Sequence, residues 1–373
     1  MLGKDYLGSD IPKLGFGLMR LPRTDGGIDI EQVKEMVDLF LDAGYTYFDT
    51  ARAYGDSEAA IKEALVDRYP RESFQLATKL APWLGAKTVD DVHGMFETSL
   101  ANTGAGYFDF YLLHNLGEER TRVFDQLDVW SYAAELKEKG LVKHLGFSMH
   151  DKADVLDAIL DEHGDQVEFV QLQVNWADWE NPSVQSRACL EACTKHDKPV
   201  VIMEPVKGGM LANPAEPVAR VFQEADPDAS FASWALRFAV SQPGLITVLS
   251  GMSSVDQMKD NLAVMKDFKP LGAQELAVID KAREALDSLG TIPCTSCEYC
   301  IKGCPKHVPI PGILDLLNCG ILYGEQAARG GYGWVTRAGV KASDCIECGQ
   351  CEMACPQHLP IMQHLKDAAA LCE

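Results

Sequence analysis

Eight short apolar runs, recurring at intervals of roughly thirty residues and each followed by a stretch with helical spacing, constrain this chain more than any other feature. Each run and its helix has the size of one βαβ unit. The runs fall at residues 14–18, 45–48, 74–80, 108–113, 142–147, 169–173, 200–203 and 245–249. They are mostly continuous rather than alternating, as expected of parallel strands buried on both faces. Between them, 89–100 carries apolar residues at Val89, Val92, Met95, Phe96 and Leu100, a helical spacing. Asp29 is placed to cap the helix at 30–41, Ser57 to cap the next, and Gly140 to stop the helix at 129–139. Eight such units predict an α/β chain closed into a (β/α)8 TIM barrel. An open doubly wound sheet is the competing arrangement, but no Gly-x-Gly-x-x-Gly follows the first strand.

A further helical run at 274–289 follows the eighth unit, and behind it the composition turns to cysteine, proline and glycine. A domain boundary is therefore expected near Gly290, with the barrel at 1–290 and a small domain at 291–373. No apolar run is long enough to span a bilayer, and Met1 to Asp5 lacks the apolar core of a signal peptide. The expectation is a soluble cytoplasmic protein with no membrane partner. A formal charge of −21 also argues against nucleic acid, which requires a basic footprint.

Eight of the twelve cysteines lie in two compact sets near the C-terminus, a pattern that points to metal in a reducing compartment. Cys294-x-x-Cys297-x-x-Cys300-x-x-x-Cys304-Pro305 is repeated as Cys345-x-x-Cys348-x-x-Cys351-x-x-x-Cys355-Pro356. Three cysteines at this spacing suit three corners of an iron-sulfur cube, and the fourth, before proline, serves the other cluster. One 4Fe-4S cluster is thus assigned to Cys294, Cys297, Cys300 and Cys355, the second to Cys345, Cys348, Cys351 and Cys304. Zinc is the alternative, although its sites usually take cysteines in two separated pairs. The region resembles a two-cluster bacterial ferredoxin. Cys189 and Cys193, one helical turn apart, read as buried packing; Cys319 and Cys372 have no assignment.

The ends of the early strands carry ionisable residues: Asp49 after the second, Tyr54 on its loop, Lys79 ending the third and His114 ending the fourth. In a barrel these ends converge on one mouth. A tyrosine with an unperturbed pKa of about 10 is a poor acid at neutral pH, but an adjacent ammonium stabilises its phenolate. Lys79 can supply that charge, Asp49 can hold the lysine, and His114 can orient a carbonyl oxygen.

With Phe48-Asp49-Thr50-Ala51, Tyr54-Gly55, Ser57-Glu58, Thr78-Lys79 and Asp109 to His114 in place, residues 10–290 resemble the aldo-keto reductases. The resemblance implies hydride transfer from NAD(P)H to the carbonyl carbon of an aldehyde or ketone, with Tyr54 as proton donor. It also implies nicotinamide contacts at Ser148, Gln171 and Met203. Met149 stands where an asparagine is usual, and Met203 where many members stack an aromatic ring. Ser250, Gly251, Ser253, Ser254, Gln257 and Asn261 occupy the phosphate and adenine positions at a helix amino end. Ser253 and Gln257 stand where NADP-using members carry cations, which leaves Lys259 as the nearest one and NAD against NADP open. A flavin would couple hydride to single electrons, but no specific flavin motif is present.

The substrate is expected to be a small carbonyl compound, with Phe16, Trp83, Trp176 and Trp179 as candidates for an apolar pocket. A redox partner protein is possible for the clusters, and Gly330-Gly331-Tyr332-Gly333-Trp334 is a candidate for closing the pocket. The competing function is a redox-sensing or electron-transfer iron-sulfur protein whose barrel only binds a nucleotide or flavin.

Overall fold

The eight apolar runs become eight parallel strands of one closed barrel. They are β1 (Leu14–Gly17), β2 (Tyr47–Asp49), β3 (Gln75–Leu80), β4 (Phe108–Leu116), β5 (Val142–Met149), β6 (Phe169–Gln173), β7 (Val200–Met203) and β8 (Leu245–Ser250). Each pairs with its sequence neighbours and β8 returns to β1, so no strand edge is left open. This computed structural model describes residue 7 and residues 10–118, 120–266 and 268–373, with Tyr323 as backbone alone; Met1 to Asp5 lie outside the described residues.

Local chemistry explains the outer helices. Helix Ile30–Asp42 is capped by Asp29, which accepts from the Gln32 amide at 3.2 Å, and it buries Val33, Met36, Val37 and Phe40 along one stripe. Burying each large apolar side chain contributes about 1.5–3 kcal/mol. Helix Val89–Thr103 starts in a capping box between Thr88 and Asp91 and ends at Gly104 in the left-handed region. Ser57 does not cap as expected. Its hydroxyl instead pairs with Thr50 Oγ1 at 2.7 Å and donates to the Leu18 carbonyl at 2.9 Å, while the helix begins at Ser57 itself. The hydroxyl therefore ties the loop after β2 to the end of β1.

Strand alternation sorts the residues into two layers. Phe16 and Phe48 point outward and pack on Phe40, with ring centroids 5.8 and 5.2 Å away. Tyr47 and Asp49 consequently face the barrel interior. There Tyr47, Ala77, Phe110, Leu112, Phe169, Val201 and Met203 form a separate apolar cluster with Leu7 and Ile11. Phe16 is thus a core residue under the first helix and not a pocket wall. Cys189 and Cys193 belong to the outer core, where burial pushes the Cys189 thiol up to about 12. Among the described residues no helix is long and apolar enough to cross a membrane.

The chain forms two compact units: Met1–Val206 with Ala232–Leu271, and Lys207–Phe231 with Gly272–Glu373. In the second, helix Ala273–Leu289 packs on helix Glu216–Ala225, an element with no counterpart in the eight-unit reading. Helices Ile310–Tyr323, Glu325–Val335 and Ile361–Cys372 surround a core of Val308, Ile310, Ile313, Leu314, Ile361 and Leu365 that also takes in Cys300, Cys351 and Cys355. The two cysteine runs share one backbone pattern: Ser296 and Glu347, Glu298 and Gly349, and His307 and His358 are matching positive-φ pairs. The glycine-rich 330–334 run lies within helix Glu325–Val335. Gly331 packs closely on Leu316, whose side chain would have to shift to admit a Cβ there.

Candidate active site and cysteine pockets

Alternation places Asp49, Lys79 and His114 on the interior side of three successive strands, at 2%, 1% and 3% exposure. Lys79 Nζ donates to Asp49 Oδ1 at 2.6 Å and to the Thr50 carbonyl at 2.8 Å. Burial pushes the lysine's pKa down and the aspartate's up, and each partly offsets the other's shift by charge. Tyr54 closes the turn Arg52–Tyr54, its amide bonded to the Ala51 carbonyl at 2.9 Å. That turn sets the phenol ring over the pair, with Lys79 Nζ 4.9 Å from its centroid. The His114 ring lies 6.0 Å from it, edge on. All four expected residues therefore meet at one place in the first unit.

Sequence reasoning named Glu58, Thr78 and Trp83 but gave them no part in holding this group, and it passed over Asn102. Glu58 is buried and accepts from Thr78 Oγ1 at 2.8 Å and Asn102 Nδ2 at 3.1 Å, which binds the Tyr54 loop to β3. Trp83 donates to the His114 carbonyl at 2.8 Å and meets its ring edge on at 5.3 Å. Of the tryptophans considered for a pocket, this one touches the group; Trp176 is fully buried, and Trp179 packs on Phe238. Asp109 lies at the opposite end of β4, roughly 17 Å from His114 at ~3.3 Å per residue. It binds Arg71 at 2.6 Å and Lys143 at 2.9 Å, a structural role.

The nicotinamide candidates continue the same inner layer. Ser148 Oγ accepts from the Asn115 amide at 2.9 Å, and Gln171 Nε2 lies 3.5 Å from Met203 Sδ. Gln171 Oε1 is buried without a hydrogen-bond partner, an arrangement that suits an amide donor arriving with a ligand. Met149 faces the outer core, because alternation turns it away from Ser148.

At the end of β8, Asn261 Nδ2 donates to Ser250 Oγ at 2.7 Å, and Gly251 runs beside Gly17. Here the side chains bind the loop's own backbone. Gln257 Oε1 accepts from the Ser253 amide at 2.7 Å, and Ser254 Oγ accepts from the Gln257 amide at 3.3 Å ahead of helix Val255–Lys266. Ser253 Oγ donates to the Arg20 carbonyl at 2.7 Å. Arg20 thus meets this loop through its backbone while its guanidinium lies 3.5 Å from Glu204, a contact that no local pattern revealed, since 233 residues separate it from Ser253.

The eight cysteines sort into two pockets of the second unit. One is lined by Cys294, Cys297, Cys300 and Cys355 with Thr295, Glu298 and Gln357; the other by Cys304, Cys345, Cys348 and Cys351 with Lys306, Val308 and Met362. Each pocket draws three cysteines from one run and the pre-proline cysteine from the other. Among the described residues no three His, Cys, Asp or Glu side chains form a site for a single metal ion. Three thiols from one closely spaced run and a fourth before proline suit the corners of an iron-sulfur cube.

The profile of the aldo/keto reductase family matches residues 13–284, and that of a 4Fe-4S dicluster domain matches residues 293–359. An aldo-keto reductase of Mycolicibacterium vanbaalenii is 30% identical over 274 residues, covering 72% of this chain and 88% of its own. Protein REDOX 2 of Catharanthus roseus is 27% identical over 308 residues, 76% of this chain and 89% of its own. Among solved structures, an aldo-keto reductase of Klebsiella pneumoniae in complex with NADPH superposes with a TM-score of 0.56 at 22% identity, covering 73% of this chain and 90% of that one. The chain is an oxidoreductase that belongs to the aldo/keto reductase family, and it carries a C-terminal 4Fe-4S domain.

Proposed function

We propose that this protein reduces an aldehyde or ketone with NAD(P)H at the Tyr54 site and holds one 4Fe-4S cluster in each cysteine pocket. The observation that carries the reading is the buried Lys79–Asp49 pair, which sets an ammonium 4.9 Å from the Tyr54 ring centroid. A nicotinamide held there would supply the hydride for the carbonyl carbon. Tyr54 gives its hydroxyl proton to the carbonyl oxygen, so the substrate gains one hydride and one proton and leaves as an alcohol. Lys79 favours that release by its charge, Asp49 fixes the lysine, and His114 orients the oxygen. Gln171 Oε1, buried without a partner, would accept from the nicotinamide carboxamide, with Met203 against the ring. Oxidation of NADH or NADPH that depends on added aldehyde or ketone tests the reading. Nucleotide binding without turnover across a carbonyl panel would favour the redox-sensing alternative.

NADH is expected to serve as well as NADPH or better. Ser253 and Gln257 bring no cation to a 2'-phosphate, and Gln257 is engaged with the loop backbone. Affinity for NADPH more than about 100-fold tighter, about 2.7 kcal/mol, would show that Arg20 or Lys259 meets that phosphate.

The crossed cysteine sets make a second prediction. Cys355→Ala should remove about half of the iron and acid-labile sulfide, since each cluster needs its four thiolates. Adding Cys294→Ala, from the same pocket, should remove no more, whereas adding Cys351→Ala should empty both. Equal losses in the two double variants would refute the crossed assignment.

A further inference from the structure

Lys207 opens the second unit and is 2% exposed. Its Nζ donates to Gln357 Oε1 at 3.2 Å. Gln357, 4% exposed, follows the Cys355-Pro356 pair and lines the pocket of Cys294, Cys297, Cys300 and Cys355. The lysine backbone is held at φ +48°, a left-handed conformation that is unfavourable for an L-residue and persists only where the surroundings enforce it. Gly208, at φ +66°, presses on Thr295 of the same pocket; a Cβ there would stand 2.6 Å from the Thr295 carbonyl oxygen. Residues 207–208 are therefore clamped to two residues of the pocket wall, the ammonium to Gln357 and the glycine backbone to Thr295.

We propose that the Lys207 ammonium raises the reduction potential of the cluster held by Cys294, Cys297, Cys300 and Cys355. The inference rests on the cluster reading above. Reduction adds one electron to the cluster and its thiolates, with no bond made or broken, and so adds one negative charge. A nearby buried cation stabilises that charge because little water screens it. The other charged groups on the two pocket walls, Glu298 on this one and Lys306 on the second, are exposed and screened. The device therefore acts on one cluster of the two.

The test is a potentiometric titration with dithionite, followed by electron paramagnetic resonance, on the full chain purified without oxygen. Native protein is compared with Lys207→Met, Lys207→Gln and Lys207→Arg. In the two neutral variants one midpoint should fall by the equivalent of a tenfold or greater change in the reduction equilibrium, about 59 mV for one electron. The other midpoint should stay in place, and arginine should hold both near native. In a Cys355→Ala background, which keeps only the second cluster, Lys207→Met should change nothing. Unchanged midpoints in the neutral variants, or equal shifts in both clusters, would overturn the proposal. So would neutral variants that lose the cluster while Lys207→Arg keeps it, because the charge would then serve assembly. Native protein without the iron and sulfide of two clusters would instead overturn the cluster reading, and this inference with it.

Discussion

Replacing Tyr54 by phenylalanine is expected to lower carbonyl reduction by about 10²- to 10⁴-fold, the usual contribution of a positioned proton donor. Nucleotide affinity should stay near native. The substitution removes the hydroxyl and leaves the ring that packs edge on against His114 and over Lys79. The bonds that tie its loop run from Thr50 to Ser57, from Ser57 to the Leu18 carbonyl and from Thr78 to Glu58, and are made without the phenol oxygen. Steady-state rates with a saturating carbonyl substrate, paired with nucleotide binding by fluorescence, separate the two effects. A variant that keeps most of its kcat would place the proton source elsewhere.

Lys79→Met is expected to damage both rate and stability. It deletes the cation below Tyr54 and leaves Asp49 buried with an uncompensated charge, and breaking a buried pair in this way costs about 3–5 kcal/mol. Asp49 Oδ2 already lacks a partner, so the remaining carboxylate would keep only what its surroundings supply. Adding Asp49→Asn should restore much of the stability, because neither remaining group is charged, while carbonyl reduction stays low. Thermal unfolding followed by circular dichroism, read beside the kinetics, checks this. If the double variant is no more stable than Lys79→Met, the cost does not come from the stranded carboxylate. If it regains activity, Lys79 has no electrostatic role at the site.

Much of the architecture was legible because it rests on short-range patterns. Continuous apolar runs at regular intervals are strands in any setting that buries both faces, and eight of them suffice for a barrel. Strand alternation then carries Asp49, Lys79 and His114 inward together. The cysteine runs were legible for a similar reason: thiols separated by two residues come from one loop. The crossed partition into two pockets also follows the repeated spacing.

Other assignments needed contacts that local pattern does not encode. Ser57 looked like a cap because it precedes a helical run, yet its hydroxyl is used by Thr50 and Leu18. Phe16 looked like a pocket residue until its packing on Phe40 fixed which face of β1 points outward. The 330–334 run lies in a helix despite glycine's poor helix propensity, and of its glycines Gly331 is the one that packs closely, against Leu316.

By itself, then, the sequence determined the order of the eight strands, the inward set at the strand ends and the two cysteine runs, since each depends on periodicity or spacing within one segment, whereas helix Glu216–Ala225 escaped that pattern. Only the tertiary structure decided which distant groups meet: Arg20 beside the Ser253 loop, Glu58 against Thr78 and Asn102, and Lys207 against Gln357. Those pairings arise when closure of the barrel and packing of the second unit bring remote side chains within a few ångströms, and a hydrogen bond or an ion pair depends on that final distance rather than on separation along the chain.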